Sequence, residues 1–223
     1  MRRNGVDQPS SRFPPPMRRL PLLLLLVLVL APFAGATSVV PPTFPELVDE
    51  ADAIYRGRVA AIQARRVALP AGQGDVIKTF VTFAIERVLK GAERSEITLE
   101  FLGGTVGDES LVVSGMPTFN LGAREIVFVQ KNGVQFCPLV AVMHGRYRVQ
   151  RDAGTGRDHM VRDNGAPLLS TSEVELPLTG LPAPVRTARA AVPLTQALTA
   201  ESFEADIRAE VARRSAAPPA NLN

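Results

Sequence analysis

One cysteine, no tryptophan, two histidines and two tyrosines in 223 residues set the first limits on this chain. The lone Cys137 cannot close an intrachain disulfide, so the fold must rest on a packed core rather than on cross-links. His144 and His159 are too few for a His-based metal site. The H-E-x-x-H, C-x-x-C and G-x-x-x-x-G-K-[ST] patterns are absent, and Ser114 lacks the G-x-S-x-G elbow. Neither a metal nor a cofactor is expected. The composition, 46% hydrophobic and 21% charged, excludes wholesale disorder.

Long apolar runs are also scarce. The longest, Leu20 to Leu30 (LPLLLLLVLVL), falls well short of the about 20 residues a membrane-crossing helix needs. It follows the basic pair Arg18-Arg19 and gives way to Ala34-Gly35-Ala36, the small-x-small pattern of a signal-peptidase site. Residues 1–36 therefore read as a signal peptide cut between Ala36 and Thr37. Met17 stands where a compact signal peptide would begin. The expected product is exported, periplasmic or extracellular, with no stable membrane span after cleavage.

The leader also accounts for the basic charge. It holds five of the 25 Lys and Arg residues and one of the 22 Asp and Glu residues, so the remainder carries 20 against 21. A nucleic-acid binder would keep a positive excess in its folded part, so no nucleic-acid partner is expected.

Along the exported part, Thr43-Phe44-Pro45-Glu46 matches a capping box with Pro in the first turn and predicts a short helix from Phe44 to about Asp49. Extended segments follow: Ala53–Leu69, Val76–Leu89, and the alternation of Ile97, Leu99 and Phe101. Gly103-Gly104 ends that strand, and the Gly-rich run to Asp108 reads as turns rather than a phosphate cradle, because no helix follows it. Thr105–Asn120 reads as a loop with a short strand near Leu111–Val113. Ile126–Val129 is apolar on both faces and should be central in a sheet. Asn132-Gly133 predicts a tight hairpin into a strand Val134–Val140, with further strands at Arg146–Arg151 and His159–Arg162.

After Asn164 the composition shifts. Residues 37–176 read as a β domain and 177–198, with Pro177, Pro182, Pro184 and Pro193, as a Pro/Ala-rich linker. Residues 199–214 read as a separate C-terminal helix with Phe203, Ile207 and Val211 on one stripe, and 215–223 as a disordered tail. The architecture expected is mainly β, a small OB-like β-barrel or alternatively a β-sandwich.

Three segments carry a family resemblance: Ala51-Asp52-Ala53-Ile54-Tyr55-Arg56-Gly57-Arg58-Val59, then Phe80 through Gly91 (FVTFAIERVLKG), then Phe119 through Val129 (FNLGAREIVFV). Over residues 44–150 the chain resembles netrin-like modules, the OB-type barrel of tissue inhibitors of metalloproteinases, and bacterial exported domains. The resemblance implies a barrel scaffold used for protein or ligand binding. Those inhibitors chelate a protease metal through an N-terminal Cys, whereas the expected mature terminus here is Thr37. Inhibition by that route is not implied.

Two sets of candidate residues remain. Arg56 and Arg58, and again Arg146 and Arg148, are i, i+2 pairs on expected strands, so each pair shares a face. On neighbouring strands they would line an anion-binding groove. Cys137 and His144 would be the centre of an alternative hydrolase or redox enzyme. The reading favoured by the sequence is a non-enzymatic exported module that binds a protein or cell-envelope ligand.

Overall fold

The computed structural model describes residues 39–70 and 74–216. The leader, its cleavage site at Ala36-Thr37, Met17 and the tail after 216 lie outside the described residues. Helix α1 (Phe44–Glu50) opens the fold as its capping box requires: the Glu46 backbone N–H donates to Thr43 Oγ1 and the Thr43 N–H to Glu46 Oε2. Strands β1 (Ala53–Ala68), β2 (Asp75–Lys90), β3 (Glu96–Leu102), β4 (Gly104–Val106), β5 (Glu109–Leu111), β6 (Arg124–Val129), β7 (Arg146–Arg151) and β8 (Asp158–Arg162) follow. Two helices, α2 (Ala183–Ala190) and α3 (Ala200–Ala216), complete the described chain.

The protein is mainly β. Six strands form one antiparallel sheet in the order β3-β2-β1-β6-β7-β8, and β4 pairs with β5 alone. Alternation along the strands feeds two cores, one on each face. On one face Ile54, Ile126, Phe128, Tyr147 and Met160 pack against α1 and α3. On the other, Tyr55, Val59, Val81, Phe83, Leu99, Phe101 and Val127 pack together with Cys137 and Leu139, and Phe119 closes over them. β6 is buried on both sides, as its unbroken apolar run predicts. Bulges between Ile54 and Ala61 bend β1.

Gly103 and Gly104, both at positive φ, fold the β4–β5 pair back onto the sheet. A Cβ on Gly104 would sit 2.4 Å from Thr79 Oγ1 and 3.0 Å from the Ala64 Cβ. The Gly-rich run is thus a tight chain reversal, and the expected loop over Thr105–Asn120 begins with a small hairpin.

Three expectations need correction. No closed barrel is formed among the described residues, because β3 and β8 lie at opposite edges of the sheet and other segments occupy their outer sides. Val134–Val140 is not a strand; it makes one isolated bridge, Leu139 to Val129. The chain here serves two edges. On β3, the Asn132 side-chain oxygen accepts from the Glu100 N–H, its amide nitrogen donates to the Thr98 carbonyl, and the Leu102 N–H donates to the Phe136 carbonyl. At the end of β6, the Pro138 carbonyl accepts from the Gln130 N–H and the Val140 N–H donates to the Phe128 carbonyl. Finally, the C-terminal helix is not separate. Phe203 and Ile207 are fully buried, with the Phe203 ring 5.0 Å from that of Tyr147 and 5.8 Å from that of Phe44. The Pro-rich segment before it contains α2, whose Arg189 pairs with Glu173 at 2.9 Å.

Phe203→Ala is expected to lower the unfolding free energy by about 3–5 kcal/mol, because it empties the point where both helices meet the sheet. Urea denaturation followed by far-UV circular dichroism measures it; a loss below about 1 kcal/mol would show that α3 docks without supporting the core.

Candidate functional site

The paired registers Arg56 with Ile126 and Ile126 with Tyr147 place Arg56 on the helix-bearing face of the sheet. Arg146 pairs with Val127 and so lies on the opposite face. β6 runs between β1 and β7. The four arginines singled out from the sequence are therefore not brought together.

Arg146 is buried and fully engaged. Its Nε and Nη2 donate to Glu125 at 2.9 and 2.6 Å, its Nη1 to Asp163 at 2.7 Å, and its guanidinium lies 4.4 Å from the Phe119 ring centroid. Arg148 donates to the carbonyls of Arg162 and Asp163. Arg58 is exposed on the side of Arg56.

Arg56 has different surroundings. It is buried beneath the start of α3, where Nη1 donates to Glu204 at 2.6 Å and Nη2 to Asp158 at 3.0 Å, with Glu86 3.3 Å from Nε. Arg124 of β6 reaches the same acids, donating to Asp158 at 2.6 Å and to Glu86 at 3.1 Å. Arg87, Arg208 and Arg151 approach from the outside, the first two 3.5 Å from Glu204 and the third 3.6 Å from Asp158. Burial by itself would raise the Asp158 carboxyl; hydrogen bonding and charge from Arg124, with the charge of Arg56, outweigh it and hold the group below its ordinary value.

These side chains surround an open cavity of about 650 Å³ between the β7–β8 turn and the first turn of α3. Its wall carries Arg56, Arg87, Arg124, Arg151 and Arg157, against Asp158 and Glu201, and Thr199 and Ser202 add hydroxyls. With Arg208, Glu86 and Glu204, which pair with these side chains or with one another, six arginines meet four carboxylates. The positive end of α3 adds to that excess.

The cations differ in freedom. Arg56 is held on three sides by acids, whereas Arg87 and Arg151 are about half and two-thirds exposed and each makes a single long contact. Arg157 makes no ion pair among the described residues. The inner arginines set the floor, and the outer three can turn onto an incoming anion. Sequence reasoning reached only Arg56, since Arg87, Arg124, Arg151 and Arg157 converge only because α3 docks where it does.

Cys137 and His144 do not respond to one another. Burial, chiefly, pushes the Cys137 thiol up to about 11, and Asp163 adds to the effect against a backbone hydrogen bond from Leu139. That keeps sulfur protonated, the opposite of what a nucleophile needs. Burial and then the charge of Arg162 hold His144 down at about 4, opposed by a backbone hydrogen bond at Val174. Among the described residues no cluster of three His, Cys, Asp or Glu side chains is placed to hold a metal ion. No protein-family model matches the chain, and no curated protein matches it.

Two outcomes follow from these groups. Cys137 should resist thiol reagents at pH 8 until the protein is unfolded; rapid labelling of the native protein, read by mass, would contradict its burial. For His144 the folded state disfavours the charged form, so the unfolded chain binds the extra proton between about pH 6.5 and 4. Stability should fall over that window by about 2 kcal/mol, allowing for solvent screening. His144→Gln should flatten this part of the urea-midpoint profile, and an unchanged slope would contradict the assignment.

Proposed function

We propose that the protein is an exported, non-enzymatic binding module that grips an anionic group of a cell-envelope ligand or partner protein in the arginine-lined cavity. One observation carries the reading: a concave site with a surplus of arginines, three of them exposed at the rim. Guanidinium groups match phosphate, sulfate and carboxylate oxygens in paired hydrogen bonds, and a low-lying site strengthens each of them.

The rest of the chain supports this. The basic, apolar and small-residue order of the leader favours export, and no described helix is long and apolar enough to cross a membrane. The protonated Cys137 and the uncharged His144 favour a binding role over the Cys–His enzyme. A scaffold related to netrin-like modules is supported by the long bulged β1 and the β1–β2–β3 meander.

Retention on heparin and on immobilised lipopolysaccharide tests the proposal. The protein should bind at low salt and elute as salt rises. Arg151→Glu combined with Arg157→Glu should weaken binding by about tenfold or more. No retention at low salt, or retention indifferent to both substitutions, would remove the cavity as the site.

A further inference from the structure

The main sheet has a third edge. β6 pairs with β1 from Ala53 to Arg58 and the track ends at Val59, whose N–H donates to the Ala123 carbonyl and whose carbonyl accepts from the Gly122 N–H. The bulge between Val59 and Ala61 then turns β1 away. From Ala61 to Ala68, β1 pairs with β2 on one side and with no described residue on the other. About half of the backbone donors and acceptors of these eight residues, every second residue along roughly 26 Å of strand, are left facing outward.

The other two edges are covered. On β3, Asn132 and Phe136 take the outward groups of Thr98, Glu100 and Leu102. On β8, the Met160 N–H donates to the Leu198 carbonyl, its carbonyl accepts from the Leu168 N–H, and the Arg162 N–H donates to the Ala166 carbonyl. An exposed edge is usually blunted by proline, charge, a bulge or such cover, and of these β1 carries the bulge and the charges of Arg65 and Arg66. Between Ala61 and Ala68 the β1 edge has no proline and, among the described residues, no backbone cover; β4 and β5 pack only on its face, at Ala64 and through the Arg66–Glu109 pair.

The space beside it is shaped. Ile62 pairs with Val81, and Val81 with Leu99, so Ile62 lies on the face of the second core, where it is 38% exposed. It borders an apolar cavity of about 420 Å³ lined by Phe101, Val112, Val113, Met116 and Phe119. The opposite face of the same edge is basic: Gln63 and Arg65 sit there, Arg65 stacked 3.8 Å from the Phe80 ring centroid, with Arg58 just before the bulge. A strand laid along β1 sends successive side chains to these two faces in turn.

We propose that the β1 edge from Ala61 to Ala68 is a docking site for an extended segment of another protein, which continues the track of β6 along β1. Its apolar side chains, at every second position, enter the cavity beside Ile62, and acidic residues between them meet Arg65 and Arg58. The apolar cavity beside this edge shares no lining residue with the arginine-lined cavity.

The experiment uses the full chain and a blocked, fluorescent octapeptide of alternating valine and glutamate, with serine–glutamate and valine–lysine counterparts. Anisotropy should show binding of the valine–glutamate peptide, with both counterparts weaker by about tenfold or more. Amide hydrogen exchange should slow along Ala61–Ala68. Ile62→Lys and Arg65→Glu, both at exposed positions, should each weaken binding by about tenfold while the circular dichroism stays unchanged. No binding of the valine–glutamate peptide, protection elsewhere, or indifference to both substitutions would overturn the proposal. So would a dimer of the protein alone that Ile62→Lys dissolves, since the edge would then be filled by a second copy.

Discussion

The guanidinium of Arg56, taken out of water between Asp158 of β8 and Glu204 of α3, is the contact on which the arrangement turns. Burying an arginine is costly unless carboxylates or carbonyls take up its donors, and burying a carboxylate such as Glu204 is costly without cations beside it. The charge requirement therefore ties the middle strand of the sheet, one edge strand and the last helix to a single geometry. Apolar packing of Phe203 and Ile207 supplies the attraction. The ion cluster selects the position at which α3 lands, and the same landing encloses the cavity whose outer arginines remain free.

Much of the local structure was legible in the chain. Thr43 and Glu46 announced α1, the apolar run at Ile126–Val129 announced a strand covered on both sides, and the glycines at 103 and 104 announced a reversal. Each of these is a rule about neighbours a few residues apart. The stripe Phe203–Ile207–Val211 likewise required a buried surface, yet a stripe cannot say which wall it meets, and the Pro-rich approach suggested separation. The i, i+2 arginine pairs were correctly each confined to one face, but strand order decides whether two pairs share that face. β6 comes between them and the register inverts the second pair. The mistaken strand at Val134–Val140 has a related cause: alternating apolar residues fit a strand, while Asn132 spends its amide on covering β3.

The two faces of the sheet also divide the labour of the molecule. One carries helices and an open basic cavity; the other carries an apolar interior, with the Arg146–Glu125 pair beside it, that opens into a cavity next to Ile62. β1 belongs to both, since its first half is a central strand and its second half an uncovered arm. The bulge at Ala60 is the point where it changes role.

The pairing of Arg56 with Glu204 joins positions 148 residues apart. Contacts of such separation form late, because the intervening chain must first be gathered in. For a polypeptide that becomes available from its N-terminus onward, the sheet has to wait with one apolar face bare and Arg56 without Glu204 until α3 arrives. The helix that completes the core is then also the one whose arrival covers the apolar face and shortens its exposure to misassociation.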